Sequence, residues 1–369
     1  MPENKDKKVL NVPNLRFPEF EGEWGKTKLK EISKFSKERL NSIELSCSNY
    51  VTTENMLQDY QGIVSATNLP TNTNVVKFSK GDVLLSNIRP YLKKVWHADR
   101  NGGCSADVFV FKALPICNSN FLHHVIANDR FIKFAMSGAK GVKMPRGDKE
   151  QMITYKVGLP CIEEQKKIAV FLSLIDERIS TQNKIIDKLE SLIKGVTQRI
   201  VYGNKHNTQI ANCLKCSSSS LQENEVKETG IYPVYGANGI VGYLDSYSTK
   251  HEAIYIIKDG SGVGSVSYVT GECSATGTLN ILEANKDFSL LYLYYILKIF
   301  NFNPYRTGMA IPHIYFKDYS KAKIFCPPYD KQVKYAKLLS AIEKKLITEQ
   351  KILDLISLQK QYLLRQMFI

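Results

Sequence analysis

Residues Gly141–Tyr202 can be laid on Gly308–Ile369 at a constant offset of 167 positions without a gap, and this self-similarity constrains the fold more than any other feature of the chain. Gly141 falls on Gly308, Pro145 on Pro312, Pro160 on Pro327, Gln165 on Gln332 and Ala169 on Ala336. Thr181, Lys184, Ile185 and Asp187 fall on Thr348, Lys351, Ile352 and Asp354. Upstream, Cys104-Ser105-Ala106 matches Cys273-Ser274-Ala275 at an offset of 169. Two unrelated amphipathic helices share a few identities by chance, but chance does not align the prolines and glycines outside them. The chain therefore reads as two copies of one plan: variable blocks at 1–158 and 205–326, each followed by a helical block, 159–204 and 327–369. At 369 residues there is room for two buried cores.

In the first helical block Ile168, Leu172, Ile175, Ile179, Ile186, Leu189, Ile193, Val196 and Ile200 follow alternating steps of four and three, with only Gln182 polar in the seam. That is a coiled-coil heptad pattern. Pro160 with Glu163 and Glu164 marks a helix start and Gly203 a stop, so a helix spans 162–201, with Gly195 as a weak point inside it. The second block places Tyr335, Leu339, Ile342, Leu346, Leu353, Ile356, Leu363 and Met367 at the matching positions, Glu349 matching Gln182 and Lys360 replacing Ile193. Two tandem helices with one seam can pair antiparallel about a pseudo-twofold axis; the plainer reading packs each on its own domain. As lone polar seam positions, Gln182 and Glu349 are expected to fix register. The fold class expected is α+β: a tandem repeat of two mixed, β-rich domains, separated and followed by long helices that pair as an antiparallel coiled coil.

The formal charge of +14 favours a polyanionic partner, because Lys and Arg that neutralise phosphates release condensed counterions. The excess is uneven: +8 over residues 1–159, +2 over 160–205, zero over 206–326 and +4 over 327–369. If the second variable block binds DNA, it does so through a local patch. No stretch is apolar enough to span a membrane, and the opening MPENKDKKVLNVPNL is too polar for a signal peptide, so a cytoplasmic protein without membrane contact is expected. Its eight scattered cysteines then read as reduced thiols.

The variable blocks read as β-rich. Strands are expected at 82–88, 106–111, 253–257 and 265–269, and shorter helices at Phe121–Met136 and Phe288–Phe300. Four loops combine glycine or proline with basic or amide side chains: 87–94, 139–146, 235–239 and 305–313. Arg and Lys hold phosphates or guanine edges, Asn pairs with adenine, and Gly lets backbone approach. The candidate DNA contacts are Asn87, Arg89, Lys93, Lys94, Lys140, Lys143, Arg146, Asn238, Lys258, Arg306 and His313; taken singly, each reads more readily as a solvated surface or turn residue than as a base reader.

Catalytic motifs fail on inspection. Cys326-Pro-Pro-Tyr329 is similar to the Asn/Asp-Pro-Pro-Tyr tetrapeptide of adenine-N6 methyltransferases, but Cys is a poor acceptor for a target amino group. The repeat also places it on Leu159-Pro160-Cys161-Ile162, a strand-to-helix joint. Gly260-Ser261-Gly262-Val263-Gly264 lacks the G-x-G-x-x-G spacing and precedes an alternating strand, so it reads as a hairpin turn, and no loop for S-adenosylmethionine or ATP is visible. Cys213-Leu214-Lys215-Cys216 is half a zinc-ribbon pattern without a second pair, and the six histidines form no constellation along the chain. No catalytic residue, metal ligand or cofactor is expected.

Basic charge, a duplicated variable-plus-helix plan, heptad helices and missing catalytic motifs together resemble the specificity subunits of type I restriction-modification systems, over nearly the whole chain. Leu15-Arg16-Phe17-Pro18-Glu19-Phe20-Glu21-Gly22-Glu23-Trp24, followed by Lys28-Leu29-Lys30-Glu31-Ile32, resembles the family's entry to a first target-recognition domain. Gly81-Asp82-Val83-Leu84, the run 159–168 and its counterpart 327–335 resemble its recurrent domain-end and helix-entry patterns. The second block departs by lacking a Trp entry and net positive charge. The resemblance implies a non-catalytic subunit whose two recognition domains each read half of a bipartite duplex DNA site. It also implies spacer helices that set the half-site separation and dock two methyltransferase subunits, through which restriction and translocation subunits join. Readings from other classes are a self-contained adenine-N6 DNA methyltransferase or nuclease, and a coiled-coil adaptor or repressor.

Overall fold

Alternating residues of single strands enter two different cores, and this organises both halves of the chain. In the computed structural model, which describes residues 11–308 and 311–369, Val83–Ser86 pairs antiparallel with Val108–Ala113 in the register Val83 to Phe111, Leu84 to Val110 and Leu85 to Phe109. Side chains alternate across a strand. Accordingly Val83, Leu85, Phe109 and Phe111 pack beneath helices, whereas Leu84, Val108 and Val110 pack with Trp96 and Phe78 on the other face. A sheet buried on both faces reads as a continuous apolar run, which is why Val83-Leu84-Leu85 shows no polar alternation.

Contacts divide the chain into two compact units, Met1–Asn183 with Ile352–Ile369, and Lys184–Lys351. In the first unit the main sheet runs in the order Ser33–Phe35, Val108–Ala113, Val83–Ser86, Val95–His97. A second sheet holds Arg39–Asn41, Asn74–Phe78, Gly102–Cys104 and Tyr50–Val51. In the second unit the main sheet runs Leu214–Ser218, Leu279–Ala284, Ala253–Ile257, Val266–Val269, the same topological order. Its smaller sheet holds Gly239–Leu244, Tyr232–Gly236 and Ser274–Ala275. The repeated Cys-Ser-Ala strings lie at corresponding strands, Gly102–Cys104 pairing parallel with Tyr50–Val51 and Ser274–Ala275 pairing parallel with Tyr232–Gly236. Ala253–Ile257 and Val266–Val269 form an antiparallel hairpin, so Gly260–Gly264 is a turn.

The repeated identities at the helix entry have one physical cause. Gln165 accepts from the Asn118 N–H at 2.8 Å and donates to the Pro160 carbonyl at 2.9 Å. Gln332 accepts from the Ser289 N–H at 2.9 Å and donates to the Pro327 carbonyl at 2.8 Å. Both glutamines are buried, and each clamps a short helix of its recognition block to the first turn of a long helix. The entry string acts at the same place. Arg16 makes two 2.8 Å bonds to buried Glu164, and the Trp24 indole donates to the same carboxylate at 3.2 Å. A bidentate pair out of water is geometrically strict, and the second repeat replaces Glu164 by Lys331, matching its lack of a Trp entry.

The long helices are Ile162–Tyr202 and Tyr329–Met367. In the first unit Ile168 and Leu172 share a core with Leu363, Leu364, Met367 and Phe368, so the start of one helix lies on the end of the other. In the second unit Ile193 and Ile200 share a core with Ala336 and Leu339, the converse pairing. The helices are antiparallel, and every seam residue named above is buried or half-buried. The helix expected at Phe121–Met136 is corrected by the structure: it is two helices, Ser119–Ile126 and Asp129–Ser137, because Asn128 caps the second, its side chain accepting from the Arg130 N–H at 2.9 Å. The expected 288–300 helix spans Leu290–Lys298, capped by Ser289. No helix among the described residues is long and apolar enough to cross a membrane.

Candidate nucleic-acid interface

In the first unit the basic loops 87–94 and 139–146 meet at one edge; in the second the loop 305–313 meets the turn at 258–260 rather than the loop 235–239, and matching backbone hydrogen bonds hold both edges. In the first unit Asn87 N–H donates to the Asp107 carbonyl at 2.8 Å, Gly147 N–H to the Asn87 carbonyl at 3.1 Å and Arg89 N–H to the Pro145 carbonyl at 2.8 Å. Lys140 and Arg146 exchange both backbone bonds at 2.9 Å. In the second unit Lys258 N–H donates to the Thr278 carbonyl at 3.0 Å, Ile314 N–H to the Lys258 carbonyl at 2.9 Å and Gly260 N–H to the Pro312 carbonyl at 3.0 Å. Thr307 and His313 exchange bonds at 2.9 and 2.8 Å. The loops 139–146 and 305–313 are thus closed hairpins seated on the end of the main sheet; Met309 and Ala310 lie outside the described residues.

Glycine is required at the bend of each hairpin. Gly141 has φ +95° and Gly308 φ +85°, the left-handed region in which a side chain is strained. Beyond Gly141 the chain presents Val142 with its whole side chain in water, then Lys143 and Met144, also exposed. In the second copy Ile311 is exposed. These apolar residues beside cations were not among the expected contacts; the only sequence signal for them was their place beside the repeated glycine.

The structure sorts the expected contact residues. Lys140, Lys143 and Arg146 are exposed on one hairpin. Arg146 lies 3.4 Å from the Asp107 carboxylate and Lys140 2.7 Å from Asp148, which holds the Lys140 pKa above its ordinary value. Asn87, Arg89, Lys93 and Lys94 are half-buried in the second loop, where Arg89 and Lys93 adopt left-handed φ of 50° and 54°. Lys93 pairs with Asp129 at 2.9 Å, and Lys94 donates to the Thr53 carbonyl at 2.6 Å. In the second unit His313 occupies the repeat position of Arg146, its Nδ1 2.8 Å from Asp259. Exposed Arg306 donates to the Val263 carbonyl at 2.6 Å, and Lys258 is half-buried at the loop base. Asn238 stands apart, exposed in the turn between Tyr232–Gly236 and Gly239–Leu244.

The string at Cys326 is a joint. Cys326 is buried, its N–H donates to the Asn207 side chain at 2.8 Å and its Sγ lies 3.5 Å from that of Cys213, just before the second long helix begins. Each two-loop edge offers an exposed cation, a glycine with positive φ and an exposed aliphatic side chain, a set suited to phosphates and base edges.

Comparison with known proteins identifies relatives of the chain. The family model described as the type I restriction modification DNA specificity domain matches residues 21–191 and again 204–358. The EcoprrI type I restriction enzyme specificity subunit of Escherichia coli is 26% identical over 117 residues, 32% of this chain and 29% of that protein. The MjaVIII specificity subunit of Methanocaldococcus jannaschii is 40% identical over 67 residues, 18% of this chain and 16% of its own length. The chain thus aligns with less than a third of either relative. Among solved structures, the S subunit of a type I restriction-modification system from M. genitalium superposes with a TM-score of 0.68 at 17% identity, covering 97% of this chain and 99% of that one. A chain from a study of assembly and conformational transition of the type I R-M system superposes at 0.53 and 17% identity, covering 92% and 96%. These two likenesses are of fold.

Proposed function

Because this chain belongs to the type I restriction modification DNA specificity family, we propose that it is the sequence-recognition subunit of such a complex and performs no chemistry itself. On this reading residues 1–158 and 205–326 are the two recognition domains, and 159–204 and 327–369 the spacer helices. Each two-loop edge reads one half of a bipartite duplex site. The observation that carries this is the duplication of the edge itself: two hairpins with φ-positive glycines, anchored by matching backbone bonds, bear different side chains at matched positions, Lys140 against Thr307 and Arg146 against His313. One backbone frame with two side-chain sets suits two different half-sites.

The paired helices set the separation of the half-sites, since a stiff coiled coil admits only particular spacings and helical phases. They also carry exposed apolar residues outside the seam, among them Val170, Leu174 and Leu192 on the first helix and Leu338, Leu355 and Leu358 on the second. Two methyltransferase subunits are the occupants proposed for these residues, with restriction and translocation subunits joining through them in the cytoplasm.

The test is co-expression with a cognate methyltransferase subunit, followed by mapping of methylated adenines in host DNA. Methylation at a split motif, of which one half changes when residues 205–326 are exchanged for those of a relative, is the expected outcome. Methylation indifferent to removal of the chain would overturn the reading and favour the adaptor or repressor class.

A further inference from the structure

Three histidines that are dispersed along the sequence gather inside the first unit. His97 stacks on His123 with ring centroids 5.4 Å apart, and His123 lies 4.9 Å from the ring of His124. His123 and His124 sit on the helix Ser119–Ile126, and Asp176 faces them from the first long helix; one ligand atom from each of the three lies within 4.8 Å of the others. His124 is fully buried, and among the described residues neither of its ring nitrogens makes a hydrogen bond of ordinary geometry. The Ala169 backbone offers one of them only a weak contact.

The second repeat supplies an internal comparison. His123 and His124 are the fifth and sixth residues after the helix cap Asn118; Tyr294 and Tyr295 hold the same places after the cap Ser289. Asp176 falls on Glu343 at the offset of 167. There the Tyr294 and Tyr295 hydroxyls donate to Glu343 at 3.1 and 2.6 Å, and the Lys298 ammonium at 3.0 Å, so the carboxylate and both aromatic polar atoms are satisfied within the unit. The first repeat keeps the carboxylate but replaces both hydroxyl donors by imidazoles. An imidazole nitrogen without a proton is a lone-pair donor in search of an acid, and leaving one buried and unpaired costs free energy.

We propose that His123, His124 and Asp176 form a binding site for one divalent transition-metal ion, of the class of Zn²⁺ or Co²⁺, which ties the first recognition domain to its long helix. Two imidazoles and one carboxylate are the donor set these borderline ions take. Bond lengths of about 2.0–2.2 Å require the donors to draw closer than their present spacing, a movement within reach of side-chain rotation. The competitor is Lys360, which takes the seam position of Ile193, is ion-paired to Asp176 and has its ammonium 5.9 Å from the Tyr60 ring centroid. A divalent ion must displace that ammonium from the carboxylate, so Lys360 sets the affinity.

The experiment is titration of the full chain, free of any polyhistidine tag and stripped with chelator, with Co²⁺ at pH 7.5, followed by visible absorption and Zn²⁺ competition. One equivalent with a d–d spectrum of nitrogen and oxygen coordination is expected in the wild type. Asp176→Asn and His123→Gln should each weaken binding at least tenfold, and Lys360→Met should strengthen it. Zn²⁺ should raise the melting temperature of the wild type and leave that of Asp176→Asn unmoved. Should His123→Gln fail to fold, Asp176→Asn, on a half-buried helix face, decides alone. Absence of the spectrum in both wild type and Lys360→Met, or undiminished uptake by Asp176→Asn, would overturn the site; neither outcome touches the DNA-recognition reading.

Discussion

Gly195 lies on an exposed turn of the first long helix, and a Cβ built there meets nothing within 4 Å. Glycine inside a helix costs about 1 kcal/mol relative to alanine, mostly through the backbone freedom it gives up. Gly195→Ala is therefore expected to stabilise the protein by about 0.5–1 kcal/mol, read as a higher denaturant midpoint at unchanged slope. A lower midpoint would mean that the position is packed. Residues of this kind were legible because helical period and helix-former chemistry are local. Asp107, Asp259 and Val142 were not: their significance comes from the partners and the exposure that the folded loops give them, and nothing adjacent in sequence announces either.

Among elements, the join between the short helix Leu290–Lys298 and the second long helix carries a pH-dependent part of stability. Burial by itself raises the pKa of the Glu343 carboxyl, but the Tyr295 hydroxyl, the Lys298 ammonium and the Tyr294 hydroxyl outweigh it and hold the group below its ordinary value. A carboxyl with a depressed folded-state pKa stabilises above its unfolded pKa of about 4.3 and loses that contribution as pH falls through the lower folded value. Glu343→Gln should cost about 1–3 kcal/mol at pH 7, in the range of hydrogen bonds to a charged group, and the deficit should shrink below about pH 4. A deficit constant from pH 7 to pH 3 would rule out the charged bonds as its source. The break in the Phe121–Met136 helix belongs to the same scale. Its signal, Asn128 followed by Asp129, was in the sequence as a start pattern, but apolar spacing ran through it and concealed the stop.

The charge of the whole molecule is uneven, and DNA binding should register it. Residues 1–159 carry a net +8 and residues 206–326 none, while the exposed hairpin of the first unit bears Lys140, Lys143 and Arg146 against Thr307 and His313 in the second. Each phosphate contact removed lowers the slope of log affinity against log salt by about 1. Lys140→Ala with Lys143→Ala should flatten that slope by about 2, whereas Val142→Ala, which removes no charge, should leave it nearly unchanged; equal slopes for both would mean that the first hairpin does not hold phosphate. Several properties were settled by sequence alone, because each depends on spacing along the chain: the tandem plan, the heptad seams, the strand-to-helix joint at Cys326 and the location of the basic loops. Tertiary structure decided what depends on distance through space: the antiparallel sense of the helices, the joining of loops 87–94 and 139–146 into one edge, the exposure of Lys140, Lys143 and Arg146 while Lys93 and Lys94 are half-buried, and the meeting of His123 and His124 with Asp176. Periodicity is written in the order of residues, but proximity between segments separated by tens or hundreds of residues exists only after the cores have formed.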